Sequence, residues 1–291
     1  MDPGPASCRI AAVKAYLDLV RHVLKHGERK SSRTGVDTLS CFGAHYQVDL
    51  AQGFPLLTTK KMVWSSVLRE LLWYLSGDDH IRNLRQHTKI WDAWADEEGN
   101  LDTAYGHYWR HFPSATRDEQ GQWQVTEIDQ IANVLNCLRN DPSSRRMVVT
   151  AWEPGNAWSS KLPPCHYTYA FQVLGGKLNC HLTQRSGDVA LGIPFNMAAY
   201  ATLTQMLAQE VGLGLGLFSH TIVDAHIYCA KADGSMSEYC HIAGLKEQLT
   251  RDTLPLPKLH IADVPFDELT FDDFRLEGYE HKPAIRFAVA V

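Results

Sequence analysis

The stretch Leu162-Pro163-Pro164-Cys165-His166 sets a thiol on a stiff corner, because two consecutive prolines fix the approach of the backbone. A cysteine is a nucleophile only as its thiolate, which nearby cationic charge or a base must supply. The plainer reading of a lone Cys–His pair is a small buried hydrophobe beside a hydrogen-bonded histidine. Arginines next to hydroxyls form a second set: Arg33 in Ser32-Arg33-Thr34-Gly35, Arg145 and Arg146 after Ser144, and Arg185 before Ser186. A guanidinium fork beside a hydroxyl suits a phosphate dianion. Each arginine alone reads as a solvated surface charge; converging, they would clamp a phosphate, and spacing does not decide between the two.

Glu70, in Arg69-Glu70-Leu71-Leu72-Trp73, is a carboxylate among large apolar side chains. Burial there would raise its pKa and let it trade protons near neutrality, whereas exposure would leave it paired to Arg69 or a lysine. Asn196, in Gly192-Ile193-Pro194-Phe195-Asn196, reads either as a helix N-cap or as an amide offering a donor and an acceptor to a base edge. Asp224, His226 and Tyr228 fall on one face of an apolar strand pattern, where aligned polar groups serve a ligand or a buried network. His107 and His111 lack both the glutamate of an HExxH motif and a third ligand, so no metal is expected. Gly212, Gly214 and Gly216 do not open a helix, so no dinucleotide fingerprint is read there.

Several elements must position these groups. Apolar residues at helical spacing predict helices over 11–26, 64–76 (closed by Gly77), 128–138 (closed by Asn140-Asp141-Pro142) and 196–211. Strands are expected over 38–50, 147–152, 167–174, 178–184 and 218–228, with Gly175-Gly176 turning a hairpin between the third and fourth. The class that follows is α+β: a single domain over 1–291, with a mixed or antiparallel sheet flanked by helices and a flexible extension at 1–10.

Composition agrees. With 291 residues, 45% hydrophobic and a net charge of −5, the chain is too apolar and too weakly charged to be disordered, and it has no global pull toward DNA. Its opening MDPGPASCRI lacks the regions of a secretory signal, and the apolar stretch 197–218 is broken by polar residues, so no membrane partner is expected. Seven cysteines without CxxC pairs suit a reduced, cytoplasmic setting.

Taken together, the motifs SRTGVDTLS, GFPLLTTKK, RELLWYLSG, IWDAWADEEGNL, AYG, NDPSSRR, LPPCH, QRSGDVALGIPFN, DAHIY, LPLPKL, FDDF and EGY run in order over nearly the whole chain. In this the sequence closely resembles the thymidylate synthase family. The resemblance implies a homodimer in which the sheets pack together, a pyrimidine nucleoside monophosphate as substrate, and 5,10-methylenetetrahydrofolate as cosubstrate, without a metal. Cys165 would add to C6 of the pyrimidine, making C5 electron-rich enough to attack the one-carbon unit. Arg33, Arg185 and Ser186 would hold the 5′-phosphate, joined by Arg145 and Arg146 from the partner subunit. Asn196 would read the O4/N3 edge, and His226 and Tyr228 the 3′-hydroxyl. Glu70 with His166 and ordered water would manage protons around O4 and C5, Tyr105 would assist removal of the C5 proton, and Asp224 would support that network. Asp188 would bond the pterin, with Ile90, Trp91, Trp94, Phe195 and the C-terminal Val291 closing over it, while Lys60 would meet the acidic folate tail.

The chain departs from the family pattern in places. The resemblance expects LGPVYG where Leu101-Asp102-Thr103-Ala104-Tyr105-Gly106 stands, glutamines at Tyr108 and Ala170, and a tyrosine at Thr183. A histidine expected a few residues beyond Tyr228 is missing, and 230–239 reads as altered or extended. The leading expectation is methylation of dUMP to dTMP. The alternative is a hydroxymethylase, in which water rather than hydride captures the electrophilic intermediate, so exclusion of water decides the product. Trp91 and the C-terminus argue for exclusion, while 102–108 and Ala170 leave room for water; Asn196 favours uracil over cytosine. A silent nucleotide-binding protein would have no duty for Cys165 or Glu70, and nothing besides the Cys–His pair supports a hydrolase.

Overall fold

The computed structural model describes residues 12–102 and 104–290, so the expected extension at 1–10 and Val291 lie outside the described residues. The chain forms two compact units, one from residues 1–63 with 174–291 and the other from residues 64–173.

The first unit opens with helix α1 (Ala12–His26), whose Val13, Tyr16, Leu17, Val20 and Val23 are buried and whose last turn carries Lys25 and His26 against the helix dipole. Strands β1 (Glu28–Ser31) and β2 (Asp37–Asp49) follow as an antiparallel pair joined by the turn that carries Arg33.

The second unit begins with α2 (Trp64–Ser76), bounded as the sequence predicts, with Gly77 at φ +74 just past its end. Short helices α3 (Arg82–Arg85) and α4 (Tyr105–Arg110) come next, then an exposed hairpin of β3 (Phe112–Arg117) and β4 (Trp123–Ile128). Asp129 caps α5 (Gln130–Asn140) by accepting the Ala132 N–H. Strand β5 (Val148–Thr150), the short helix α6 (Pro154–Ala157) and β6 (His166–Leu174) complete the unit, with β5 and β6 antiparallel.

Back in the first unit, the chain turns at Gly175-Gly176, both at positive φ, into β7 (Lys177–Asp188). The buried helix α7 (Gly192–Glu210) then crosses to β8 (Gly214–Cys229), which pairs parallel to β7 and antiparallel to β2. A parallel pair requires such a crossover, and α7 supplies it while packing on both strands. Within α7, Thr202 and Thr204 bond back to the carbonyls of Ala198 and Tyr200, at 2.8 and 2.7 Å, so its polar residues are satisfied in the core. Helix α8 (Ile242–Leu249) and the antiparallel pair β9 (Lys258–Ile261) and β10 (Phe274–Glu277) finish the chain.

The mixture of helices with a mixed sheet is the class the sequence predicts. One face of the first unit's sheet is covered by α1 and α7. On the other face Phe42 (91% exposed), Leu217 and Val223 stand in the open with His45 and His181. No helix among the described residues is long and apolar enough to cross a membrane.

Candidate active site

Within the second unit, Cys165 stands between the Pro163-Pro164 corner and the first residue of β6. Its backbone N–H donates to the Tyr105 hydroxyl oxygen at 2.6 Å, and its Sγ lies 3.9 Å from the Pro163 carbonyl oxygen. Tyr105 opens α4 and is buried, and its ring lies flat on His166, with centroids 3.9 Å apart and planes within 10°. Helix α4 reaches α2 closely because residue 106 is glycine: an added Cβ would sit 2.1 Å from the Tyr74 carbonyl oxygen. That approach fixes Tyr105 relative to α2, the helix that carries Glu70.

The Glu70 residue keeps some exposed surface, but its carboxyl is enclosed. Its Oε1 accepts the Trp91 indole N–H at 2.7 Å. Burial pushes the carboxyl up to about 7, against the lowering effect of hydrogen bonds from Trp91 and Tyr74. His166 shifts the opposite way: burial holds its ring down at about 3, so it is neutral near pH 7. Near pH 7 the Glu70 carboxyl can therefore gain or lose a proton, while the His166 ring stays neutral and stacked on Tyr105. Trp91 is buried, whereas Ile90 and Trp94 keep half-exposed faces. Trp91 and Trp94 meet edge-on at 5.7 Å. At Tyr108, where the resemblance expects glutamine, the phenol oxygen accepts from Asn156 Nδ2 at 2.7 Å. Arg145 and Arg146 are exposed in the loop after α5, beside Ser143 and Ser144.

The first unit gathers most of the other candidates. Register between β7 and β8 sets Ser186 beside Asp224 and Asp188 beside His226. Arg185 and Ser186 are half-buried on β7, and Arg33 is exposed in its turn. His226 is buried, packing edge-on against Tyr228 at 5.3 Å, with Nδ1 3.3 Å from the Asp224 carbonyl oxygen. The Asp224 carboxylate is engaged by Lys30 and lies 3.9 Å from His226, which gives it a local charge partner. Asp188 accepts the Ala190 N–H at 2.8 Å. Burial raises the Asp188 carboxyl, but the hydrogen bond and charge of His241, with His226 and the Ala190 N–H, bring it net below the usual range. An ionised, partly exposed acceptor of this kind fits the paired N–H donors of a pterin edge.

Two expectations need correction here. Asn196 is not an N-cap: α7 starts at Gly192, leaving Asn196 half-exposed one turn inside, next to the half-exposed Phe195. Lys60 does not face solvent to meet an acidic tail. It is 4% exposed, donates to the Ala190 carbonyl oxygen at 2.5 Å and stands 4.8 Å over the Phe287 ring. Burial lowers its ammonium to about 8, against the raising effect of Asp188.

A histidine meets Tyr228 from further along the chain. The chain leaves β8 after Cys229, loops through 230–240, and returns His241 so that its N–H bonds the Tyr228 carbonyl oxygen at 2.9 Å. The ring packs 5.5 Å from that of Tyr228. Residues 229–240 separate it from Tyr228 in sequence, so counting a few residues onward does not find this contact.

Among known proteins, the thymidylate synthase family model matches residues 14–291, across both units. A thymidylate synthase of Haloferax volcanii is 47% identical, over 94% of this chain and 95% of its own length. The chain belongs to the thymidylate synthase family. It is accordingly a one-carbon transferase.

Proposed function

We propose that Cys165, Glu70, Tyr105 and His166 carry out the conversion of dUMP to dTMP that membership of the thymidylate synthase family gives this chain. The observation that carries this reading is the arrangement around Cys165: a thiol on a proline-stiffened corner, its N–H held by Tyr105, in the unit where a carboxyl is poised at about 7. The Cys165 thiolate adds to C6, forming the S–C6 bond and moving electron density to C5 and O4. Glu70 exchanges the proton at O4, since a carboxyl near 7 gives and takes protons with little cost at neutral pH. With C5 electron-rich, the one-carbon unit is joined there; Tyr105 assists loss of the C5 proton as the folate nitrogen leaves, and hydride capture of the resulting exocyclic methylene breaks the S–C6 bond, returning the Cys165 thiolate and freeing dTMP. 5,10-Methylenetetrahydrofolate supplies both the carbon and the hydride.

Binding roles follow from the chemistry of each group. Arg33, Arg185 and Ser186 take the phosphate, Asn196 the uracil edge, and His226 and Tyr228 the 3′-hydroxyl. Asp224, engaged by Lys30 and His226, steadies that hydroxyl-binding pair. Asp188 takes the pterin, and Ile90, Trp91, Trp94 and Phe195 supply apolar surface for the same cosubstrate. A homodimer in which Arg145 and Arg146 reach the partner's phosphate is supported by the uncovered apolar face around Phe42 and by the exposure of both arginines. Hydroxymethylation is not favoured, since both the family and the Haloferax volcanii relative are synthases.

Incubation with dUMP and methylenetetrahydrofolate tests the conversion. Dihydrofolate with dTMP is expected; tetrahydrofolate with 5-hydroxymethyl-dUMP, or no turnover, would contradict it.

A further inference from the structure

Three buried polar side chains form a row across the sheet of the first unit: Tyr46 on β2, His220 on β8 and Gln184 on β7. Register sets Tyr46 opposite His220, and Gln184 opposite Ile222, two residues further along β8. The Tyr46 hydroxyl lies 2.9 Å from His220 Nδ1, and His220 Nε2 lies 3.0 Å from Gln184 Oε1. Gln184 Nε2 in turn donates to the Ser186 carbonyl oxygen at 2.9 Å. The Phe218 ring packs against both Tyr46 and His220, at 6.4 and 5.6 Å, so the row sits in an apolar setting where an unmade hydrogen bond is costly.

With a neutral imidazole, only one direction of donation satisfies every member. Gln184 gives an N–H to Ser186, so its Oε1 accepts and His220 Nε2 must carry the ring hydrogen. His220 Nδ1 is then an acceptor and takes the Tyr46 hydroxyl. Burial pushes that phenol above its ordinary value of 10, so the hydroxyl keeps the proton it donates. Without the hydroxyl, the ring hydrogen can move to Nδ1. His220 Nε2 would then accept, the Gln184 amide would turn its N–H toward it, and Gln184 Oε1 would face the Ser186 carbonyl oxygen, acceptor against acceptor.

We propose that Tyr46 and His220 are positioning residues for the nucleotide phosphate: acting through Gln184, they pin the Ser186 carbonyl and so hold the Arg185-Ser186 segment of β7 in its phosphate-binding geometry. The inference rests on the assignment of Arg185 and Ser186 to the phosphate. Tyr46 sets the tautomer of His220, His220 sets the orientation of the Gln184 amide, and the amide sets Ser186. Loss of either residue should therefore fall on the phosphate and spare the nucleoside.

The test uses the full chain and two ligands, dUMP and deoxyuridine, the same nucleoside without its phosphate. Tyr46→Phe removes one hydroxyl and keeps the ring, His220→Phe breaks the row at its centre, and His220→Gln restores a donor toward Gln184. Kd for dUMP should rise about fivefold in Tyr46→Phe, the scale of one hydrogen bond, rise further in His220→Phe and recover in part in His220→Gln. The inhibition constant of deoxyuridine should change less than about twofold in all three. A merely structural role would weaken both ligands alike, so equal weakening, or dUMP binding unchanged in Tyr46→Phe and His220→Phe, would overturn the proposal. Arg185→Ala separates the two claims. A dUMP Kd that rises in Arg185→Ala but not in the Tyr46 and His220 variants sinks the positioning role alone, whereas a dUMP Kd indifferent to Arg185→Ala sinks the phosphate assignment and the positioning role with it. The double variant of Tyr46→Phe with His220→Phe should bind dUMP no worse than His220→Phe, and effects that simply multiply contradict a single chain. Should His220→Phe fail to fold, Tyr46→Phe decides alone by the same comparison of dUMP with deoxyuridine.

Discussion

Glu70 and His166 carry opposite consequences of burial, and both are measurable. A carboxyl held at about 7 is disfavoured in its ionised form, so folding loses stability as pH rises from the ordinary glutamate value of 4.5 through 7. The loss levels off at about 3 kcal/mol, from a shift of roughly 2.5 units at 1.36 kcal/mol each. Glu70→Gln removes that penalty while keeping an acceptor for the Trp91 N–H. Urea unfolding at pH 8 should find the variant more stable than the parent by up to about 3 kcal/mol, with the difference vanishing near pH 4. Its turnover should fall at least about a hundredfold, as loss of a general acid–base group requires. His166 runs the other way. Its neutral ring contributes stability above its ordinary value of 6.5, and this is lost as pH falls toward about 3. The apolar neighbours of Glu70 in Arg69-Glu70-Leu71-Leu72-Trp73 allowed its burial but left an exposed, ion-paired carboxylate equally open. Nothing in the sequence announced the neutrality of His166, because the stacked Tyr105 ring comes from a helix sixty residues away.

At the scale of elements, close approach matters as much as hydrophobic pattern. Gly106→Ala would drive a methyl into the Tyr74 carbonyl, so α4 must lift from α2 and take Tyr105 with it. The variant should lose both thermal stability and turnover, while dUMP binding by the first unit's residues persists. In α7, Leu203 is fully buried. Leu203→Ala should cost about 2–5 kcal/mol in denaturant unfolding, with little change in the activity of the folded fraction. Strong periodicity made α1 and α2 legible, and Gly175-Gly176 marked the turn before β7. The start of α7 was not legible, since Gly192-Ile193-Pro194 offers no side-chain cap and Asn196 mimics one. The β3–β4 hairpin was missed because it is exposed throughout β4 and shows no alternation of buried and open residues. The contact of His241 with Tyr228 was hidden because residues 229–240 separate the two in sequence.

For the whole molecule, the proposed homodimer makes a specific demand. If Arg145 and Arg146 serve the partner's phosphate, a chain lacking Cys165 and a chain lacking the arginines are each inactive alone but complementary together. Mixing Cys165→Ala with an Arg145→Glu, Arg146→Glu double variant should restore activity, approaching about a quarter of the parent value on random reassortment into C2 dimers. Absence of recovery in a mixture shown to exchange subunits would place the arginines in their own subunit's site. The motifs that identify the family are spread over both units, so family membership was legible from sequence. What the motifs left open was the direction of each proton shift and the burial of Lys60, which depend on packing between segments far apart in the chain.

The central claim is a bond between Cys165 and C6 of the pyrimidine. A nucleotide with fluorine in place of the C5 hydrogen has no proton to lose there, so the reaction should halt with that bond intact. Incubation of the protein with 5-fluoro-dUMP and methylenetetrahydrofolate, followed by denaturation and peptide mass spectrometry, tests it directly. The account predicts the combined mass of nucleotide and folate on the peptide that contains Cys165. An unmodified Cys165 peptide, or the adduct on another cysteine, would contradict it.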